Sequence, residues 1–253
     1  MSRVLLEAAE EVARLTGQAA LRHYRGALRV EQKNDGSPVT VADREAEQAA
    51  RQWLAARFPA DGILGEEFGE TAGTSGRRWL LDPIDGTKTF VRGVPLWGSL
   101  VALVEGEQVL AGAAFFPAVD EMLVAAPGEG CWWNGARARV SETSTLAGAT
   151  ALITDERAFH RASTRDGWRT LTGEVSVART WGDCFGYLLV ATGRAEIMVD
   201  PVLNPWDAAC FMPIIEEAGG VLTDLHGKRT AFGGSAVATN AAIADAVREY
   251  LDD

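Results

Sequence analysis

The chain has 253 residues, 47% hydrophobic and 23% charged, which is ordinary globular usage and enough length to bury a substantial core in one large domain or two packed halves. A formal net charge of −11 argues against a general nucleic-acid or anionic-membrane surface. No apolar run approaches the ~18 residues of a membrane span, and Glu7, Glu10 and Glu11 do not suit a signal peptide, so a cytoplasmic protein is expected. Cys131, Cys184 and Cys210 are odd in number, far apart and free of any CxxC pair, which disfavours a disulfide framework or zinc knuckle. His23, His160 and His226 are equally scattered.

In chain order, apolar residues at helical spacing (Leu5, Ala8, Ala9, Val12, Leu15, Ala19) predict an amphipathic helix from Leu5 to Tyr24. A strand is expected over Leu28, Arg29 and Val30, then a loop of turn formers from Lys33 through Asn34, Asp35 and Gly36 to Pro38. Thr40 opens a second helix reaching about Phe58, with Asp43 completing a capping pattern in place of the usual Glu or Gln. Gly62 to Gly65 reads as a short buried strand that delivers Glu66 and Glu67, and a Gly-rich loop leads on to the next strand at Trp79.

That strand, Trp79-Leu80-Leu81, ends in Asp82. Pro83 fixes its own φ and lacks an N–H, Asp85 supplies a second carboxylate, Gly86 allows a ligand close to the main chain, and Thr87 stands at a helix start whose amides face an anion. Antiparallel strands follow over Leu96–Glu105, Val109–Phe116 and Met122–Ala126, and Asn134-Gly135 marks a hairpin turn. Near Val140 the pattern changes, dividing the chain into an α+β half (1–140) and an α/β half (141–253) joined as one compact unit. In the second half, strands are expected over Ala149–Ile153, Val175–Ala178, Glu196–Val199, Val221–Leu222 and Ala236–Thr239. Helices fit Ala162–Leu171, Cys184–Thr192, Trp206–Ala218 and Ala241–Leu251. Asn204-Pro205-Trp206-Asp207 is favourable helix-start chemistry.

Each carboxylate has a local structural explanation as a cap or a solvated turn. Taken together, Glu66, Glu67, Asp82, Asp85 and Asp207 all sit at strand ends or helix starts, where α/β proteins assemble ligand sites. Oxygen donors without histidine or thiolate suit Mg²⁺, with Mn²⁺ compatible, better than zinc or copper. Carboxylates so close repel unless cations lie between them, and a phosphate-cradling turn in the same stretch makes a phosphatase the economical reading.

The Gly65-Glu66-Glu67 element, the Asp82-Pro83-Ile84-Asp85-Gly86-Thr87 core, Trp206-Asp207-Ala208-Ala209 and Glu217-Ala218-Gly219-Gly220 resemble, in order and over nearly the whole chain, the inositol monophosphatase family of metal-dependent phosphatases. The resemblance implies a layered αβαβα sandwich of the inositol monophosphatase/fructose bisphosphatase type, often a homodimer, acting on a small phosphate ester. It implies that Glu66, Asp82 and the Ile84 carbonyl hold one Mg²⁺, that Asp82, Asp85 and Asp207 hold a second, and that Glu66 helps with a third. Asp43 and Thr87, with Glu66, match the residues that activate water, and Asp85, Gly86 and Thr87 match the phosphate site. Lys33 and Glu67 match supporting positions.

Substrate choice is read elsewhere. Thr89, where many relatives carry Asn, and the segment from Arg179 through Asp183 to Asp200-Pro201 resemble the histidinol-phosphatase branch. Arg179, Asp183 and Asp207 then border the substrate, and Asp183 can pair with the ammonium or imidazole of histidinol phosphate. An inositol-1-phosphate or broad sugar-phosphate phosphatase stays open as the alternative, and a non-catalytic phosphate-ligand binder as a remote one. Trp97, Trp132, Trp133 and Trp181 suit a core better than a pocket wall.

Overall fold

The computed structural model describes residues 2–33 and 36–251. Asn34 and Asp35 of the expected loop lie outside the described residues. Helix α1 (Ser2–Leu21) buries the expected stripe of Leu5, Ala8, Ala9, Val12 and Ala19, while Leu15 is half-buried. The strand expected at Leu28 to Val30 does not form. Pairing begins later, in the ladder of β1 (Glu31–Gln32) with β2 (Pro38–Val39), closed by Lys33 N–H donating to the Ser37 carbonyl at 2.8 Å. Leu28 packs against the cluster around Phe90 and Trp97, but Arg29 and Val30 are exposed, so the stretch does not present the alternating buried face of a strand. Helix α2 (Val41–Arg57) starts at Thr40 as expected.

The first sheet contains β3 (Gly62–Gly65), β4 (Gly69–Thr71), β5 (Arg77–Asp85), and, beyond the one-turn helix α3 (Thr87–Phe90), β6 (Gly98–Glu105), β7 (Gln108–Phe116), β8 (Glu121–Ala126), β9 (Gly130–Trp133) and β10 (Ala136–Arg137). Its order is β10-β9-β8-β7-β6-β5-β3-β4. The expected Gly-rich loop therefore contains a strand, β4, which folds back antiparallel on β3. Strand β5 also does not stop at Asp82. It reaches Asp85 through an irregularity in its pairing with β6, and Pro83 sits inside that irregularity, where a missing N–H breaks no ladder bond. Asn134 and Gly135 both take positive φ (47° and 81°), as a two-residue hairpin requires.

The second sheet has the order β12-β11-β13-β15-β14. It is built from β11 (Thr150–Ile153), β12 (Val177–Arg179), β13 (Ile197–Asp200), β14 (Gly220–Thr223) and β15 (Ala236–Asn240), interleaved with α4 (Ala162–Glu174), α5 (Cys184–Ala191), α6 (Pro205–Ala208), α7 (Phe211–Glu217) and α8 (Ala244–Leu251). The single helix expected over Trp206–Ala218 is thus two. Pro213 has no N–H to give the Ala209 carbonyl, which instead accepts from Met212 N–H at 3.3 Å.

Three apolar clusters stack these elements into five layers. Along β6 and β7, alternate residues face opposite ways. Val101, Leu103, Ala111, Ala113 and Phe115 pack under α1 and α2 with Trp79 and Leu81. Leu100, Ala102, Val104, Ala114 and Phe116 pack against α5, α6, α7 and the inner face of the second sheet. Ala151, Ile153, Ile197 and Val199 face outward onto α4 and α8 through Trp168, Leu171 and Val247. The order αβαβα follows, and it explains why β6 and β7 read as continuous apolar runs: both faces are covered.

The middle layer touches the first sheet closely at Gly112, where a Cβ would stand 2.3 Å from the Cys210 carbonyl oxygen. Gly112→Ala is expected to destabilise the fold by about 1–3 kcal/mol through overpacking, read as a lower urea midpoint with unchanged m-value.

Candidate active site

Strands β3 and β5 are parallel neighbours, in register at Gly65 and Leu81, and Glu66 N–H donates to the Leu81 carbonyl at 3.1 Å. Glu66 and Asp82 therefore leave the sheet side by side, as their matching positions after two apolar runs suggest. The backbone then turns on its own carboxylate: Ile84 N–H donates to Asp82 Oδ1 at 3.0 Å. Gly86 takes φ 85°, and a Cβ there would lie 2.9 Å from the Leu96 carbonyl and 3.3 Å from Asp183 Oδ2. The Thr87 hydroxyl donates to the Ile84 carbonyl at 3.0 Å. The Thr89 hydroxyl lies within 2.6 and 2.7 Å of the Gly86 and Leu96 carbonyls, closing the turn from the other side.

The second half of the chain supplies the facing wall. Cys184 N–H donates to Asp85 Oδ2 at 2.7 Å. Asp207 closes a capping box at α6, accepting from Asn204 N–H at 2.8 Å. From the first half, Asp43 is fully buried at the start of α2, with Oδ2 accepting from the Thr40 amide at 2.8 Å and the Thr40 hydroxyl at 2.7 Å. Its Oδ1 is buried and has no hydrogen-bond partner. Lys33 Nζ bridges Glu66 Oε1 at 2.8 Å and Glu67 Oε1 at 2.6 Å.

Electrostatics mark this cluster out. Burial pushes the Asp82 carboxyl well above the ordinary range, and the charges of Glu66, Asp85 and Asp207 push the same way. Asp85 is raised by burial and then by Asp183, Asp207 and Asp200, and Asp207 is raised to about 6 by burial with Glu66 adding to it. Asp43 is raised by burial, and Glu67 is raised by burial to about 7 against the pull of Lys33. For Lys33, burial is the largest influence and lowers its pKa, but the bonds to Glu66 and Glu67 outweigh it and hold the ammonium above its usual value. Like charges enclosed together in a poorly polarisable interior repel, so ionising Asp82, Asp85 and Asp207 together is favoured by added positive charge. No three His, Cys, Asp or Glu side chains among the described residues are closed to ligating distance in this arrangement. The donor set itself, buried oxygens in mutual repulsion plus a main-chain carbonyl at Ile84, fits a hard divalent cation.

The substrate-side candidates divide. Asp183 stands beside Gly86 and is half-buried, with φ 49° and ψ −156°, a conformation held by its N–H donating to Thr154 Oγ1 at 2.7 Å. Burial raises its carboxyl to about 6, opposed by Lys88. Arg179 is exposed at the end of β12, its guanidinium on the Ala178 carbonyl and on no carboxylate among the described residues. Trp97 is fully buried, against Tyr24 and Phe90, whereas Trp181 is exposed on the loop before Asp183. A cavity of about 760 Å³ lined by Phe159, His160, Arg161 and His226 contains none of these candidates.

Glu47 escaped the sequence reading, and Asp200 had no role of its own in it. Glu47 is completely buried beneath the Glu66–Glu67 turn, and Asp200 is buried behind Asp183, accepting from the Tyr187 hydroxyl at 2.8 Å. The signal for Glu47 was present: Asp43, Glu47 and Arg51 are spaced by four and share one stripe of α2.

The five-layer fold with this carboxylate cluster at its centre is that of a phosphatase. The chain belongs to the inositol monophosphatase family, whose model matches residues 1–252. It is 42% identical over 231 residues to a histidinol-phosphatase of Chlorobaculum parvum, covering 90% of this chain and 89% of that protein. It is also 42% identical over 230 residues to a histidinol-phosphatase of Mycobacterium tuberculosis, covering 89% and 88%. Among solved structures, an IMPase of Thermotoga maritima superposes with a TM-score of 0.88 at 31% identity, covering 99% of this chain and 97% of that one. Among the described residues no helix is long and apolar enough to cross a membrane.

Asp200 yields a pH prediction. Burial raises its carboxyl to about 7. A carboxyl with a folded pKa above the unfolded value near 4 binds its proton more tightly when folded, so its contribution is full below about pH 4 and is lost as pH rises through 7. In EDTA, stability is expected to fall across that window, and Asp200→Asn to make the decline shallower by up to about 1.4 kcal/mol per pH unit, measured by urea melts from pH 4 to 8.

Proposed function

We propose that the chain is a Mg²⁺-dependent phosphomonoesterase that hydrolyses histidinol phosphate to histidinol and phosphate. Two supports carry this reading: the buried oxygen cluster of Glu66, Asp82, Asp85 and Asp207, and the placement of Asp183 against the Gly86 turn. Glu66, Asp82 and the Ile84 carbonyl would hold one cation, and Asp82, Asp85 and Asp207 a second, with Glu66 assisting a third. The cations would supply the positive charge that the carboxylates lack and that a developing phosphoryl anion requires.

The chain's own groups do the rest. Thr87 has its proton committed to the Ile84 carbonyl, so its oxygen presents an acceptor lone pair to the attacking water. Asp43 has one oxygen fixed by the capping box and the other free, as a proton acceptor requires. Gly86 lets the phosphoryl oxygens approach the main chain, and Asp85 borders the same turn. Lys33 balances Glu66 and Glu67. Asp183, an anion in a partly desolvated wall, would pair with the ammonium or imidazolium of histidinol phosphate; Asp207 borders the same space. Arg179, exposed at the end of β12, is read as a further residue bordering the substrate. The halves 1–140 and 141–253 contribute the metal-and-phosphate side and the substrate side, and we read them as one unit that pairs as a homodimer in the cytoplasm.

The second reading, an inositol-1-phosphate or sugar-phosphate phosphatase, uses the same cation and phosphate residues and differs on the substrate side, chiefly at Asp183. Asp183→Ala is expected to raise the KM for histidinol phosphate by roughly 10- to 100-fold, the worth of a hydrogen bond to a charged group, with little change on inositol 1-phosphate. Steady-state kinetics on both esters check this, and a wild-type enzyme that prefers inositol phosphate would overturn the histidinol assignment. Asp85→Asn is expected to lower kcat by about 10³-fold or more while circular dichroism stays unchanged, and excess EDTA to abolish phosphate release from the wild type. Near-normal turnover by that variant counts against the cation assignment.

A further inference from the structure

Glu47 has no part in the chemistry proposed above, yet it is among the most completely enclosed charged groups in the molecule, its side chain 0% exposed. Three N–H donors converge on it. Glu67 N–H donates to Oε2 at 2.7 Å, Phe68 N–H to Oε1 at 3.2 Å, and Arg51 Nε to Oε1 at 2.7 Å. Arg51 continues the contact, with one Nη donating to Thr71 Oγ1 at 3.0 Å and the other to the Gly69 carbonyl. The turn between β3 and β4 is therefore fastened to α2 at two points beyond Glu66 and β4 at two more, while Glu66 itself is fastened to β5 through Leu81. Gly65 makes room for this: a Cβ there would fall 2.0 Å from Glu47 Oε1.

An acceptor-only group is required here. Glutamine would turn an NH₂ toward one of the converging donors and would lose the charge that binds Arg51. The same helix carries Asp43 one turn earlier, so α2 locates both the free Asp43 oxygen and the turn bearing Glu66.

We propose that Glu47 is a positioning residue for the cation site: by holding the Glu67 and Phe68 amides it fixes the aim of the Glu66 carboxylate, and so sets the affinity for the divalent ion without touching ion or ester. The inference rests on the reading of Glu66 as a cation ligand.

The test is Mn²⁺ binding by the full-length metal-free protein, followed by the electron paramagnetic resonance signal of free Mn²⁺ with no ester present. Glu66→Ala serves as the ligand control. Glu47→Gln is expected to weaken Mn²⁺ binding by roughly 10- to 100-fold, the usual effect of removing a group that orients a ligand, while the ester's KM at saturating Mn²⁺ moves far less. Arg51→Gln, which leaves Glu47 in place but unclamps it, is expected to weaken binding several-fold and gives the same information if Glu47→Gln does not fold.

If Glu66→Ala binds Mn²⁺ like the wild type, the ligand assignment falls whatever Glu47 does. If Glu66→Ala is weakened but the folded Glu47 or Arg51 variant binds Mn²⁺ normally, even with a lower melting temperature, Glu47 is merely structural and the inference is overturned.

Discussion

The mutual repulsion of carboxylates enclosed at the strand ends is the constraint on which the rest depends. Asp82, Asp85 and Asp207 are each pushed out of the ordinary carboxylate range, first by burial and then by neighbouring carboxylates: Glu66, Asp85 and Asp207 act on Asp82, Asp183, Asp207 and Asp200 on Asp85, and Glu66 on Asp207. Packing keeps them there regardless: β5 lies between β3 and β6, Asp85 is tied to Cys184, and Asp207 is locked in its capping box. The fold maintains an unfavourable concentration of negative charge, which is the condition under which a hard cation is held tightly and phosphate chemistry follows.

That arrangement also separates two tasks. The groups proposed to meet phosphate and cation come from the ends of β3 and β5 and the Gly86 turn, whereas the group proposed to distinguish one ester from another, Asp183, arrives on the loop before α5 in a backbone conformation few non-glycine residues adopt. Thr154 restrains that loop, and Asp200 and Tyr187 lie behind it. Related phosphatases can therefore share a chemical side while differing in the loop opposite it.

Much of this was legible in the sequence because the signals were local. Thr40 with Asp43 and Asn134-Gly135 each encode their geometry within a few residues, and the structure realises both. The misses came where tertiary context decides. Of Leu28 to Val30 only Leu28 packs on the core, β4 forms because β3 offers an edge, and Pro213 divides a helix whose periodicity is continuous. The strand through Pro83 to Asp85 looks like a turn in one dimension because its irregular pairing with β6 cannot be read from one strand. Glu47 was hidden for a simpler reason: a glutamate four residues from an arginine on a helix is usually a solvated pair, and only the docked β3–β4 turn makes it an interior one.

The hydrogen bond from the Cys184 amide to Asp85 joins residues 99 apart in sequence, and Asp207 reaches the same cluster from farther still. Contacts so distant form only after the intervening loop entropy has been met, so the cluster is a late product of folding. During synthesis the stretch from Glu66 to Thr87 emerges well before Asp207, and the first sheet would form without a complete cation site. An ion bound at the proposed site would then stabilise the docked sheets and not the early intermediate, so that occupancy of the site would report that the chain has finished folding.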